Sequence, residues 1–253
     1  MTLTWDARDG VATITIARPE KRNALHAAAI TTLAEICATL DAREDIRAVI
    51  LTGSGGTFSA GGDIGAWSAL SPAAFARHWV RDGHAAFDRL ARLTQPVIAV
   101  LNGSVLGGGL ELAAAADYRI AETQATLAMP ETALGIIPGW SGTQRAVRRF
   151  GAQTVRRMAL FGEVFDAETA AALGLVDQVV ATGKGMTAAE TLASAVTNRA
   201  PGATALVKML VNAAEGEERE RVLEAMAGQI AAGSEELASG LQRFRSKKKG
   251  SDT

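Results

Sequence analysis

Cysteine is almost absent: Cys37 is the only one in a chain of 253 residues. An internal disulfide is therefore impossible, and so is a metal cluster built from cysteines. Cys37 falls on the apolar stripe Leu33, Cys37, Leu40, which assigns it to core packing, and a single cysteine points to a cytoplasmic or equivalent reducing compartment. An excess of one charge is missing too. Lysine and arginine number 26 against 27 acidic residues, a net charge of −1, so no overall field gathers nucleic acid or an anionic membrane. No run of about 18 or more apolar residues occurs, and no membrane-spanning helix is expected. The opening residues Met1 to Asp6 lack the basic and apolar regions of a signal peptide. Histidine is scarce: His26, His78 and His84 have no metal-ligand spacing and read as structural or exposed. Neither glycine pattern that cradles phosphates is present. Gly139-Trp140-Ser141-Gly142-Thr143 begins like a serine nucleophile elbow but lacks its closing glycine.

What is present is an ordinary globular composition, 48% hydrophobic and 21% charged, long enough for a large core. Val11 to Ala17, Ile46 to Leu51, Pro96 to Leu101, Tyr118 to Ala121 and Leu175 to Val180 read as strands. A helix carrying Leu25, Ile30, Leu33, Cys37 and Leu40 follows the first of them. About thirty helical residues follow Ile64, and another helix carries Glu111. Alternation of this kind predicts an α/β fold with a parallel, helix-covered sheet. After Pro138 helix dominates, over Ser141 to Phe150, Thr154 to Phe161, Ala167 to Leu173, Thr187 to Arg199, Ala203 to Ala214 and Glu217 to Ile230. A boundary is placed between 195 and 196, and Ser246 to Thr253 reads as a solvated tail.

Two stretches can place backbone amides beside a ligand. Phe58-Ser59-Ala60-Gly61-Gly62-Asp63-Ile64 and Asn102-Gly103 through Gly107-Gly108-Gly109 each follow a strand, and glycine permits close approach and unusual dihedrals. Two N–H groups aimed at one thioester oxygen stabilise an enolate. Glu111 heads the apolar stretch Leu112 to Ala116, and Glu131 follows Met129-Pro130. A buried carboxylate without a partner is costly and seldom kept without use. Two that converge raise at least one pKa and can divide a water between them.

These segments resemble the crotonase superfamily, the enoyl-CoA hydratase/isomerase family, over nearly the whole chain. The likeness runs through Arg18 to Leu25, Phe58 to Ile64, Asn102 to Leu112, Met129-Pro130-Glu131, Leu134 to Gly139, Gly142 to Arg145 and Ala172 to Val176. It implies a ββα spiral with a C-terminal α-helical region, residues 196–253, which assembles homotrimers or dimers of trimers. It places the oxyanion hole at the amides of Gly62 and Gly108. It gives catalysis to Glu111, as the base that activates water, and to Glu131, which delivers the proton beside the thioester. The substrate would be an acyl-CoA met by Lys21, Arg22, Ala60, Asp63 and Ile64, with Trp67, Pro138, Gly139 and Trp140 around the acyl group. No metal or redox cofactor is implied, because CoA arrives with the substrate, and neither nucleic acid nor membrane is an expected partner.

Three departures stand out. Gly65-Ala66-Trp67 replaces a commonly charged stretch. Gly62 replaces a frequent alanine, a change expected to be harmless because the backbone donates. Trp140 stands where a small residue is usual and is expected to narrow substrate choice; Ser141 replaces a glycine beside it. The expected reaction is reversible syn hydration of a 2-trans-enoyl-CoA to a 3-hydroxyacyl-CoA. The rivals are another reaction on the same scaffold (double-bond isomerisation, dehydration or C–C cleavage of a specialised acyl group) and a non-catalytic binding or assembly protein.

Overall fold

The computed structural model describes residues 2–217. The chain divides into two compact units, Met1–Ala205 and Leu206–Thr253. The strands are β1 (Leu3–Arg8), β2 (Val11–Ile16), β3 (Ala48–Gly53), β4 (Thr57–Ser59), β5 (Val97–Leu101), β6 (Ser104–Leu106), β7 (Tyr118–Glu122), β8 (Thr126–Ala128), β9 (Phe165–Asp166) and β10 (Gln178–Val180). The helices are α1 (Ala27–Asp41), α2 (Ile64–Trp67), α3 (Pro72–Ala74), α4 (Arg81–Ala91), α5 (Gly108–Ala114), α6 (Arg145–Phe150), α7 (Ala152–Phe161), α8 (Ala167–Ala172), α9 (Gly185–Thr197) and α10 (Pro201–Ala214).

Two sheets result. The larger runs β1-β2-β3-β5-β7-β10 and the smaller β4-β6-β8-β9. Within the larger sheet only β1 with β2 is antiparallel; β2, β3, β5, β7 and β10 run parallel. A long strand in one sheet leads to a short strand in the other and then into helix, as in β3-β4-α2 and β5-β6-α5. In both repeats the glycines Gly61-Gly62 and Gly107 to Gly109 lie where the short strand leads into helix.

The strand residues explain the layering. In β3 all six positions are buried. Val49 and Leu51 face the main core with α1 and α4, while Ala48 and Ile50 face a second core with Ala189 and Ala193 of α9. A strand covered on both faces needs apolar residues at both phases, so it reads as a continuous run.

Several expectations change. Leu3–Arg8 forms a strand that the sequence reading passed over, because only Leu3 is buried and alternation is weak. β4, β6 and β8 occupy stretches that read as loop or turn. Three residues are too few to show a period, and their ladder partners lie some twenty or more residues away. The helical stretch after Ile64 is broken into α2, α3, a π-helical turn Phe75–Val80 and α4. The strand expected from Leu175 shortens to Gln178–Val180, and the helix expected from Ser141 starts at Arg145. The helix expected over Glu217 to Ile230 lies, apart from Glu217, outside the described residues, as does the tail from Ser246.

Candidate active site

Glu111 is the fourth residue of α5, and the turn before that helix requires glycine. Gly107 has φ of +52°, and its carbonyl accepts from the amides of Leu110 and Glu111. A Cβ there would also lie 2.7 Å from Glu131 Oε1. One glycine therefore opens the Glu111 helix and leaves room for the second carboxylate. Glu131 begins the 3-10 turn Glu131–Leu134, which follows β8 after Met129 and Pro130.

The carboxylates differ in their surroundings. Glu111 is 3% exposed, and its Oε1 accepts from the amides of Trp140 (2.7 Å) and Gly142 (2.6 Å). Burial first, then the charge of Glu131, push its pKa up to about 8, against the opposing pull of those amides. Burial also raises Glu131, whose Oε2 is buried without a hydrogen-bond partner. Such an atom is costly in a core and calls for a reason.

Two amides sit close by. Gly108 is the first residue of α5, where an N–H has no intrahelical acceptor. Gly62 pairs with Leu25 in an isolated bridge, whose bonds run from Leu25 N–H to Gly61 O and from Asp63 N–H to Leu25 O. The Gly62 N–H takes no part in it. A Cβ on Gly108 would lie 3.3 Å from Gly62 N, so the two amides are neighbours.

Trp140 is 2% exposed and fills the space behind them. Its indole N–H donates to Trp79 O at 2.9 Å, a carbonyl of the π-helical turn. Its rings meet Trp79 (centroids 5.0 Å apart) and Phe87 (5.1 Å, edge-on). Cβ atoms on Gly62, Gly83 and Gly108 would come within 2.8 Å of Trp79 or Trp140. Glycine at 62, where alanine is frequent in the family, suits this packing, because a methyl would meet Trp79 Cζ2 at 2.8 Å. Gly83→Ala gives a sharper result. Within a helix this change ordinarily stabilises by about 1 kcal/mol. Here the methyl would stand 2.1 Å from the Trp140 indole nitrogen, and overpacking costs about 1–3 kcal/mol or more. Urea denaturation should show net destabilisation; a gain would mean that the indole does not occupy this seat.

Ser141 is buried with φ of +84°, and its Oγ is 2.9 Å from His84 Nε2. Asp88 in turn holds the fully buried Arg145 at 2.6 Å. These contacts hold the loop whose amides at 140 and 142 reach Glu111. His84 therefore has a specific partner that its lone position in the sequence did not suggest.

A cavity of about 100 Å³ joins these parts. Its lining includes Ala60, Gly62, Ile64, Trp67, Gly108, Glu111, Glu131, Gly139 and Trp140. Lys21, Arg22, Asp63 and Pro138 lie outside it. Lys21 and Arg22 are exposed. The Asp63 carboxylate is taken by Arg18 (2.6 Å) and the Gly65 amide, which hold its pKa below the usual range. Pro138 is buried, and its ring carbon would meet a Cβ on Gly142. The sequence reading missed Phe75 and Trp79 of the π-helical turn and Ile136 as cavity wall. It also missed the Trp140 and Gly142 amides as donors. The adjacency of Trp140 to the glycine-rich loop was the one available signal. Among the described residues His, Cys, Asp and Glu form no cluster of three that could hold a metal, and no helix is long and apolar enough to cross a membrane.

A family model described as enoyl-CoA hydratase/isomerase matches residues 6–251. The short-chain-enoyl-CoA hydratase of Clostridium acetobutylicum is 36% identical over 203 residues, 80% of this chain and 77% of that protein. Among solved structures, Pseudomonas aeruginosa DspI superposes with a TM-score of 0.83 at 35% identity, covering 97% of this chain and 94% of that one. An enoyl-CoA hydratase of Bacillus anthracis gives 0.82 at 32% identity, covering 98% and 97%. With its ββα fold and nearly full-length matches, this chain belongs to the enoyl-CoA hydratase/isomerase family of the crotonase superfamily.

Proposed function

We propose that the protein is an enoyl-CoA hydratase, adding water reversibly and syn across a 2-trans-enoyl-CoA to give the 3-hydroxyacyl-CoA. The observation that carries this reading is the pair Glu111 and Glu131 on one cavity, one carboxylate held by two amides and the other with an unpartnered oxygen. The thioester oxygen lies between the Gly62 and Gly108 N–H groups, which draw electron density from the conjugated double bond. Water held by the two glutamates gives a proton to one of them as its oxygen bonds to C3. Charge passes to the thioester oxygen, where fixed amides stabilise the enolate without reorganisation. The other glutamate then protonates C2 on the same face. The chemistry needs two carboxylates and two amides, so CoA enters as part of the substrate and no metal or redox cofactor is invoked. The family resemblance extends this reading to a cytoplasmic homotrimer or dimer of trimers.

The pair must hold one proton between them to supply both base and acid. With Glu111 lifted to about 8, the resting proton sits there at neutral pH. The base role that the resemblance gives Glu111 then requires the proton to pass to Glu131 when substrate binds. Above about pH 8 the pair loses its last proton and the acid is gone. Accordingly kcat/KM should fall about tenfold per pH unit above this point. Loss of conjugated-thioester absorbance, followed with a panel of enoyl-CoA esters, tests both claims. No turnover of any ester, or a rate that climbs through pH 8, would sink the reading.

A further inference from the structure

We infer that Trp140 sets the acyl-chain length: seated in a slot between Gly62, Gly83 and Gly108, its indole ends the cavity and restricts the substrate to a short, unbranched acyl group of crotonyl size. This rests on the acyl-thioester reading above and adds what the site will hold. A thioester bound between the Gly62 and Gly108 amides begins its acyl chain against this ring, because Cβ atoms on those two glycines would lie 3.5 Å and 2.7 Å from it. The ring has no easy way to swing aside. Its N–H is bound to Trp79 O, Trp79 and Phe87 pack on it, and Gly83 receives its five-membered ring so closely that a methyl would not fit. On the other side Trp67 and Phe75 stack edge to face at 5.6 Å. The cavity that remains beside the amides is about 100 Å³, and the indole stands at its end. Replacing the indole by a small side chain joins the slot over Gly83 to this cavity and lets a longer chain run past the amides.

The test measures kcat/KM with crotonyl-, hexenoyl-, octenoyl- and decenoyl-CoA on the wild type, Trp140→Ala and Trp140→Leu. In parallel, Kd is measured for the saturated butyryl- to decanoyl-CoA series, which needs no turnover. The wild type should lose at least about tenfold from the shortest to the octanoid ester, and the variants should reverse that order in both readouts. If no ester is turned over but saturated esters bind with this length preference, the hydratase reading fails and the gauge stands. Equal wild-type handling of short and long esters would overturn the proposal. So would an unchanged length profile in whichever Trp140 variant folds; Trp140→Leu keeps apolar bulk if Trp140→Ala does not.

Discussion

Glu131→Gln should lower turnover of an enoyl-CoA ester by about 10²–10⁴-fold, the usual contribution of one positioned acid or base, while Kd for the CoA ester changes little. The side chain keeps its size, and its neighbours make few demands on it. Glu131 Oε2 has no hydrogen-bond partner, and Gly107 leaves open space beside Oε1. An amide fits the same volume but neither accepts a proton from water nor gives one to carbon. Glu111→Gln should cost as much in rate, because the remaining carboxylate cannot serve as base and acid within one addition. The measurement is kcat by loss of thioester absorbance, with Kd by displacement and far-UV circular dichroism to verify folding. Near-normal kcat in either variant would remove the two-carboxylate mechanism. Loss of binding equal to loss of rate would assign the glutamates to holding the ester.

At pH 8 Glu111→Gln should be more stable than the wild type by a few kcal/mol, and near pH 4.5 the gain should vanish. The folded pKa, about 8, lies above the unfolded value of 4.5. The folded state therefore binds the proton more tightly, and its benefit is complete below 4.5. As pH rises the unfolded chain releases its proton first, and folding loses about 1.4 kcal/mol per pH unit until the folded carboxyl also ionises near 8. Glutamine stays neutral and removes this slope, while its oxygen still accepts from Trp140 and Gly142 as Oε1 does. Glu131, also raised by burial, contributes a slope of the same sign to wild type and variant alike. Urea midpoints across pH 4.5 to 8 decide the matter. A wild type whose stability rises over that range relative to the variant would mean that the amides outweigh burial.

Most of the long strands were legible because both faces of β3 and β5 are buried, which leaves an unmistakable apolar run. The smaller sheet was not. β4, β6 and β8 have three residues each, and their partners are set by the return of the main sheet rather than by local pattern. The candidate carboxylates and glycines were visible as residue types beside glycine-rich turns. Their surroundings were not visible, since the donors to Glu111 come from positions 140 and 142, across two strands and a 3-10 turn.

Residue order alone therefore settled the family, the long strands of a parallel, helix-covered sheet and which side chains can carry acid, base and amide chemistry, while the ββα spiral came only as what the family resemblance implies. These follow from short-range facts: apolar runs, glycine turns and carboxylates in apolar stretches. Folding decided how those groups feel one another. Burial and Glu131 lift Glu111 to about 8, Arg18 and the Gly65 amide occupy Asp63, and Gly83, in a helix far along the chain from the site motifs, makes room for Trp140. Desolvation, Coulomb energy and packing depend on distances in space, and only the tertiary structure contains those.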